Sequence, residues 1–260
     1  MPGTDISLLI DAALAAGDIA KTYFKEEPEA WDKGDGQGPV TEADLAIDRM
    51  LKSELLAARS DYGWLSEETD DDSDRLTRDR VFIVDPIDGT RAFMAGHEHF
   101  AHSLAIAENG EITAAVVHLP IMERTYVATK GGGATMNGVP IAVNDSDDIS
   151  STTFLANKAN MAPEFWRGGV PPIKRSFRPS LAYRVCLAAE GRYHGMLTLR
   201  PTWEWDVAAG SLILSEAGGA SLDGRGHAPL FNQPHPQIPR MIAAGQTLLP
   251  KIMERLILLD

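Results

Sequence analysis

The sequence predicts an α+β protein of layered helices and sheets, and three observations lead to this fold class. Residues 5–24 and 42–56 carry apolar side chains at helical spacing, residues 103–129 read as strands joined by a tight turn, and helices alternate with short strands after residue 150. Such an order favours helices packed on sheets in two units. The polar segment 144–148 divides the chain into predicted halves, residues 1–145 and 146–260.

Two helices are predicted before residue 60. Thr4 is a suitable N-cap for a helix that begins at Asp5, and Pro28 is expected to end it. Residues 32–39 are too rich in glycine for regular structure and predict a loop. Thr41 and Asp44 have the spacing of a capping box, which predicts the start of the second helix.

The centre of the first half is a buried strand. Four apolar residues, 81–84, precede the segment 85–89, Asp-Pro-Ile-Asp-Gly, which is expected to end the strand abruptly. Asn109 and Gly110 are typical of a hairpin turn between strands 103–108 and 112–119. A further strand is predicted at 124–129, with another turn at Asn137 and Gly138.

The second half alternates between strands and helices. Apolar runs and their flanking turn residues predict strands at 152–156, 196–199, 220–222 and 241–244 and helices at 181–190, 205–217 and 248–259.

Composition excludes some classes of protein. With 44% hydrophobic and 23% charged residues the chain has the balance of an ordinary folded protein, and its formal net charge of -13 argues against a binder of nucleic acids or anionic membranes. The negative charge does not exclude an anionic small substrate, because bound metal ions can reverse the sign of the local electric field.

Cys186 is the single cysteine of the chain and is predicted to be a buried structural thiol. The N-terminus has no signal-peptide pattern and no stretch matches a membrane span, so we expect a cytoplasmic protein.

Five acidic residues at the edges of apolar segments are the candidates for chemistry: Asp44, Glu67, Asp85, Asp88 and Asp206. Carboxylates without histidine or cysteine partners favour a hard cation, Mg²⁺ before Zn²⁺, and several of them favour two ions over one. Helix capping is the alternative interpretation of Asp44 and Asp206, since both lie at predicted helix starts.

The chain resembles the inositol monophosphatase superfamily in four segments. Three of them are similar to its signature motifs, and the first is similar to an upstream motif; the segments are Pro-Val-Thr-Glu-Ala-Asp at 39–44, Trp-Leu-Ser-Glu-Glu-Thr at 64–69, Asp-Pro-Ile-Asp-Gly-Thr at 85–90 and Trp-Asp-Val-Ala-Ala-Gly at 205–210. The resemblance implies a layered αβαβα sandwich, Mg²⁺-dependent hydrolysis of a small phosphate ester, inhibition by Li⁺ and a homodimer.

The resemblance also implies site residues. One metal would be held by Glu67, Asp85 and the Ile87 carbonyl, the second by Asp85, Asp88 and Asp206, and a third, weaker ion would bind near Glu67. Gly89 and Thr90 would offer amides to the phosphate. Thr90, oriented by Asp44, would position the attacking water, and Glu67 would assist its deprotonation.

The substrate is less defined by the sequence. Arg91, Arg184 and Glu204 lie in segments similar to the bisphosphate nucleotidase branch, which favours 3'-phosphoadenosine 5'-phosphate. A basic island could bind its second phosphate or could balance the acidic first half; it comprises Lys158, Arg167, Lys174, Arg175, Arg178, Arg184, Arg192 and Arg200. Glu204 would contact a substrate hydroxyl or lie on the surface. The alternatives are inositol 1-phosphate, fructose 1,6-bisphosphate, and a non-catalytic regulatory protein with this fold.

Overall fold

The structure is a computed structural model that describes residues 4–26, 29–32, 34 and 38–259. Within these residues the chain forms the α-helices α1 (Asp5–Tyr23), α2 (Glu42–Ala58), α3 (Thr90–Met94), α4 (Leu181–Ala189), α5 (Glu204–Glu216) and α6 (Leu248–Arg255). Its strands are β1 (Ala30–Asp32), β2 (Pro39–Thr41), β3 (Gly63–Ser66), β4 (Arg80–Asp88), β5 (Ala101–Glu108), β6 (Glu111–Leu119), β7 (Arg124–Thr129), β8 (Gly133–Met136), β9 (Val139–Pro140), β10 (Thr153–Leu155), β11 (Lys174–Ser176), β12 (Gly195–Thr198), β13 (Thr202–Trp203), β14 (Gly219–Asp223), β15 (Gln237–Ile238) and β16 (Met241–Gly245).

A seven-stranded sheet organises the first half of the chain. Its strands follow the order β3-β4-β5-β6-β7-β8-β9, in which β3 and β4 are parallel and the other neighbours are antiparallel. The central strands β4 and β5 are buried almost throughout, because helices cover both faces of the sheet. Continuous apolar runs suit such two-sided burial.

The second half contributes a five-stranded sheet in the order β11-β10-β12-β16-β14. Strand β10 is parallel to both of its neighbours, while β16 is antiparallel to β12 and β14. Two small antiparallel pairs, β1 with β2 and β13 with β15, lie outside the two main sheets.

Helices and sheets stack in five layers. The apolar side chains of α1 and α2 pack on one face of the seven-stranded sheet. Helices α4 and α5 lie between the two sheets and share one core with both, and α6 covers the outer face of the five-stranded sheet. The αβαβα arrangement expected from the family resemblance is therefore confirmed.

Local signals located the first two helices correctly. The Thr4 side chain accepts the Ser7 amide at 3.3 Å and caps α1, and Thr41 and Asp44 form the reciprocal bonds of a capping box at α2. Helix α1 already ends at Tyr23; Pro28, which was expected to end it, lies outside the described residues.

Most of the predicted boundaries shift by one or two residues, and three of the differences have a visible structural cause. Residues 32 and 39 are not loop but pair across the hairpin of β1 and β2. Strand β4 does not stop at residue 84 but continues to Asp88 across a bulge. Helix α6 ends at Arg255 instead of residue 259, because Leu256 turns away and forms a β-bridge with Trp166.

Three further expectations concern the cysteine, membrane-spanning segments and the division of the chain into halves. Cys186 is a buried free thiol in α4, as predicted. Among the described helices, none combines the length and the apolar composition that crossing a membrane requires. The division at residue 145 stays a prediction.

Candidate metal centre and substrate cavity

The carboxylates of Asp85 and Asp88 come from the same strand. In a regular strand, residues three positions apart point to opposite faces, because side chains alternate. The register of β4 against β5 shifts between these two residues, which is the signature of a bulge. As a result, both carboxylates point to one place, where one oxygen each from Asp85, Asp88 and Asp206 lie within 4.8 Å of one another.

Asp206 reaches the cluster from the first turn of α5. Its carboxylate accepts the Thr202 hydroxyl at 2.7 Å and the Trp203 amide at 3.1 Å, so it also caps the helix. The positive end of the helix dipole favours an anion there. Capping and membership of the cluster are therefore compatible for this residue.

Asp88 is held by the start of α4. One of its oxygens accepts the Ser180 hydroxyl at 2.5 Å and the Ala182 amide at 2.6 Å. Ser180 is also the N-cap of α4, since its side chain accepts the Tyr183 amide at 3.0 Å. The cluster thus lies where the N-termini of two inner helices meet the end of β4.

Asp85 supplies the observation that tests whether a cation fits. It is only 1% exposed, and neither of its carboxylate oxygens has a hydrogen-bond partner among the residues that the structure describes. Burial, followed by the charges of Glu67, Asp88 and Asp206, raises its pKa well above the usual range. Burial likewise raises the pKa of Asp88 to about 6 and that of Asp206 to about 7. Buried carboxylates of this kind fit a hard divalent cation, which would replace the missing partners.

Thr90 lies beside the cluster at the first position of α3. Its hydroxyl is within hydrogen-bonding distance of the Ile87 carbonyl at 3.1 Å and of Asp44 Oδ1 at 3.3 Å. Gly89, which precedes it, has a φ of 100°, and a Cβ there would lie 3.4 Å from the His99 carbonyl. The turn therefore favours glycine.

Glu67 follows directly after β3. Its amide donates to the Val84 carbonyl at 3.2 Å, so it lies next to the residue that precedes Asp85. It shares with the carboxylate cluster an open cavity of about 560 Å³. The cavity is lined by Gly38, Pro39, Glu67, Asp85, Ile87, Asp88, Gly89, Thr90, Arg91, Ala92, His97, Asn157, Phe177, Pro179, Leu181, Arg184, Arg200 and Asp206.

Two residues of the basic island, Arg184 and Arg200, line this cavity together with Arg91. Arg184 is 2% exposed, its guanidinium donates to the carbonyls of Arg178 and Pro179, and it lies 4.4 Å above the Phe177 ring. Burial lowers its pKa to about 10, so it remains a cation at neutral pH. Much of the hydrogen-bonding capacity of the Arg184 guanidinium is therefore already taken up by backbone carbonyls of the protein.

The expected substrate contact of Glu204 is wrong. Glu204 is fully buried, its oxygens accept the amides of Asn232 at 2.6 Å and Gln233 at 2.9 Å, and it does not line the cavity. The buried Arg75, which donates to the Asn232 side chain at 2.6 Å, stabilises the same segment. Glu204 therefore holds the chain around residue 232 instead of contacting a substrate hydroxyl.

Sequence reasoning missed the structural roles of three residues that shape the site. Ser180 binds Asp88, and its signal was a serine directly before a helical segment. His102 is fully buried, and its Nδ1 lies 2.5 Å from the Pro86 carbonyl in the bulge. Asp48 lies one turn after Asp44 on α2, and no local pattern singled it out.

The family model described as the inositol monophosphatase family matches residues 4–257. An inositol-1-monophosphatase of Rhizobium meliloti is 37% identical over 232 residues, which are 85% of this chain and 86% of that protein. A protein of Xylella fastidiosa named Nus factor SuhB is 28% identical over 256 residues, 92% and 90% of the two chains. The solved Thermotoga maritima IMPase superposes with a TM-score of 0.83 at 26% identity and covers 95% of this chain and 94% of its own. The chain therefore belongs to the inositol monophosphatase family and is a phosphatase of that family.

Proposed function

We propose that the chain hydrolyses phosphate monoesters of small molecules with the help of Mg²⁺. The observation that carries this proposal is the buried Asp85 carboxylate, which lies next to Asp88 and Asp206 and has no hydrogen-bond partner within the described part of the chain. Phosphoryl transfer requires mainly alignment and neutralisation of charge, so a protein nucleophile is not needed. The residues at the cavity suit that task better than covalent catalysis.

The metal ligands in this proposal are Glu67, Asp85, the Ile87 carbonyl, Asp88 and Asp206. They would hold two ions, with a third near Glu67. Bound Mg²⁺ lowers the pKa of water and neutralises the charge that develops on phosphate and leaving oxygens. The cluster of Asp85, Asp88 and Asp206 supports the second site, and the position of Glu67 and Ile87 in the lining of the same cavity supports the first.

Thr90, Asp44 and Gly89 take the remaining roles. The Thr90 hydroxyl, held near Asp44, orients the attacking water, and Glu67 assists removal of its proton. The amides of Gly89 and Thr90 receive the phosphate at the start of α3. Support comes from the 3.3 Å distance between Thr90 Oγ1 and Asp44 Oδ1 and from the position of both residues 89 and 90 on the cavity wall.

Inositol 1-phosphate is the first substrate to test, because a relative 37% identical to this chain is named inositol-1-monophosphatase. The second candidate is 3'-phosphoadenosine 5'-phosphate, since the cations Arg91, Arg184 and Arg200 line the cavity that holds the carboxylates. Arg91 and Arg200 are exposed and could bind a second phosphate, whereas Arg184 is largely engaged by backbone carbonyls.

A phosphate-release assay with purified protein and Mg²⁺ separates these substrates. Inositol 1-phosphate, 3'-phosphoadenosine 5'-phosphate and fructose 1,6-bisphosphate are compared for wild type, Arg91→Ala and Arg200→Ala. If the nucleotide is the substrate, both variants raise its KM and leave that of inositol 1-phosphate unchanged. Equal effects on all three substrates would leave the arginines without a role in selectivity.

A regulatory role is the candidate from another class, because a relative carries the name Nus factor SuhB. Such a role would need neither the metal nor the carboxylates. If the wild-type protein hydrolyses none of the three substrates at any Mg²⁺ concentration, this candidate takes precedence. A homodimer, a cytoplasmic location and inhibition by Li⁺ are further predictions; sedimentation, fractionation of cells and an assay with LiCl test them.

A further inference from the structure

One buried carboxylate on α2, Asp48, holds the segment that carries Glu67. Asp48 is 5% exposed and accepts two short hydrogen bonds, from the Ser66 hydroxyl at 2.5 Å to Oδ1 and from the Thr69 hydroxyl at 2.6 Å to Oδ2. Both of its oxygens are therefore used. The two donors lie on either side of Glu67 and Glu68, so one side chain closes this turn onto the helix.

The turn is tightly connected at both ends. Ser66 is the last residue of β3, and the Glu67 amide extends the pairing with β4 by donating to the Val84 carbonyl at 3.2 Å. At the other end, the Thr69 hydroxyl also accepts the indole N–H of Trp64 at 3.2 Å. The path of the backbone from residue 66 to residue 69 is thus fixed by bonds that converge on Asp48 and on β4.

Helix α2 carries a second inward carboxylate one turn earlier. Asp44 and Asp48 are four residues apart, so they lie on the same face of the helix. Asp44 contacts Thr90, Asp48 holds the turn that carries Glu67, and both Thr90 and Glu67 line the cavity. One helix of 17 residues therefore contacts two segments of the cavity lining.

We infer that Asp48 is a positioning residue that acts through Ser66 and Thr69 to hold Glu67 beside Asp85. This inference rests on the proposed function, in which Glu67 is a metal ligand. Asp48 itself touches neither metal nor substrate in this account. Residues that orient ligands in this way commonly contribute about 10-fold to 100-fold to metal affinity.

The test compares Mg²⁺ binding, measured by calorimetry without substrate, in wild type, Asp48→Asn, Ser66→Ala and Thr69→Val. We expect Asp48→Asn to raise the Kd for Mg²⁺ about 10-fold and each hydroxyl variant to raise it less. Ser66→Ala should add less when combined with Asp48→Asn than it does alone, because Asp48→Asn already weakens the charge-assisted bond that Ser66→Ala removes. An additive double variant, or an unchanged Kd in Asp48→Asn, would overturn the inference.

Glu216→Gln is the matched control. Glu216 also bridges two backbone sites, since it accepts the amides of Gly131 at 2.7 Å and Gly133 at 2.8 Å, but it lies at the opposite end of α5 from Asp206. This change should leave Mg²⁺ affinity at the wild-type value. If Glu216→Gln weakened Mg²⁺ binding as much as Asp48→Asn does, the loss of affinity would come from a general disturbance of the fold and not from the position of Glu67.

Amide hydrogen exchange in the metal-free protein provides a second measurement. In Asp48→Asn, exchange should become about 10-fold faster at residues 67–69 while the amides of β5 and β6 keep their protection. Uniformly faster exchange would assign Asp48 to stability alone. If Asp48→Asn does not fold, the milder variant Thr69→Val is used for the same measurement. Amide protection at residues 67–69 that is as strong in Thr69→Val as in wild type would contradict the inference.

The two proposals fail in different ways. If wild type releases phosphate and the Asp48→Asn Kd is unchanged, only the role of Asp48 is lost. If wild type binds Mg²⁺ but hydrolyses nothing, the proposed activity fails, while the calorimetric comparison still decides the role of Asp48. Absence of Mg²⁺ binding by wild type would overturn both.

Discussion

Thr90 Oγ1 lies 3.3 Å from Asp44 Oδ1, while the other oxygen of Asp44 accepts the Thr41 amide at 2.9 Å and the Thr41 hydroxyl at 2.5 Å. Asp44 therefore caps α2 with one oxygen and contacts Thr90 with the other. Because the cap fixes the carboxylate, the Thr90 hydroxyl meets an acceptor whose position does not depend on substrate. Capping and function are combined in this residue.

Thr90→Ala should lower kcat by about 100-fold, because the variant no longer orients the attacking water, and a misplacement of about 1 Å can cost about 10²-fold. Thr90→Ser keeps the hydroxyl and should retain most of the activity. Steady-state phosphate release with saturating Mg²⁺ measures both. Equal activity of the alanine and serine variants would remove the hydroxyl from the mechanism.

Asp85→Asn should have opposite effects on stability without and with Mg²⁺. In the metal-free protein it replaces a carboxyl group whose ionisation is disfavoured by burial and by the neighbouring carboxylates, so we expect the variant to unfold at a higher Tm than wild type. With Mg²⁺ at 100 times the wild-type Kd, wild type gains about 2.7 kcal/mol in free energy of unfolding, and the variant gains much less. Calorimetric Tm values with chelator and with Mg²⁺ provide the comparison. A Tm of the variant below wild type in both conditions would contradict the electrostatic account of the centre.

Glu204→Ala should reduce stability without changing the substrate KM. The change leaves the part-buried amides of Asn232 and Gln233 without acceptors, and the loss of a hydrogen bond to a charged group costs about 1.5–3 kcal/mol at most for each. Denaturant unfolding and steady-state kinetics are measured on the same preparation. A raised KM with unchanged stability would restore Glu204 to the substrate site.

His118 should make the protein less stable in acid. Its imidazole is buried, with Nδ1 2.9 Å from the Thr125 hydroxyl, and burial lowers its pKa to about 4 from an ordinary 6.5. Between these values the unfolded chain binds the proton and the folded protein does not, so stability is lost as pH falls below about 6.5. Wild type should lose about 1.4 kcal/mol per pH unit relative to His118→Gln. Urea unfolding at several pH values measures the difference; parallel curves would contradict the assignment.

Much of the fold was predictable because its signals are local. The capping box of Thr41 and Asp44 and the turn at Asn109 and Gly110 lie within a few residues, and the structure contains both. The β1–β2 hairpin was not predictable, since its strands are three residues long and its stability depends on pairing across a glycine-rich segment. The end of α6 depends on Trp166, 90 residues away from Leu256.

The candidate site likewise contains residues that local sequence patterns indicate and contacts that depend on distant parts of the chain. Asp85 and Asp88 could be singled out because they follow an apolar run, but the bulge that turns both carboxylates to one face is a property of the pairing with β5. Glu204 was a candidate for substrate contact because its segment is similar to the bisphosphate nucleotidase branch. Its actual partners, at residues 232 and 233, come from a distant segment that no local pattern connects to it.

The central claim is that the buried carboxylates hold Mg²⁺ for phosphate ester hydrolysis. The most direct measurement is Mg²⁺ titration of phosphate release from inositol 1-phosphate and 3'-phosphoadenosine 5'-phosphate by wild type and Asp85→Asn. We predict activity that saturates with Mg²⁺ in wild type on at least one substrate and a loss of at least about 100-fold in Asp85→Asn. Activity without Mg²⁺, or an Asp85→Asn variant as active as wild type, would contradict the claim.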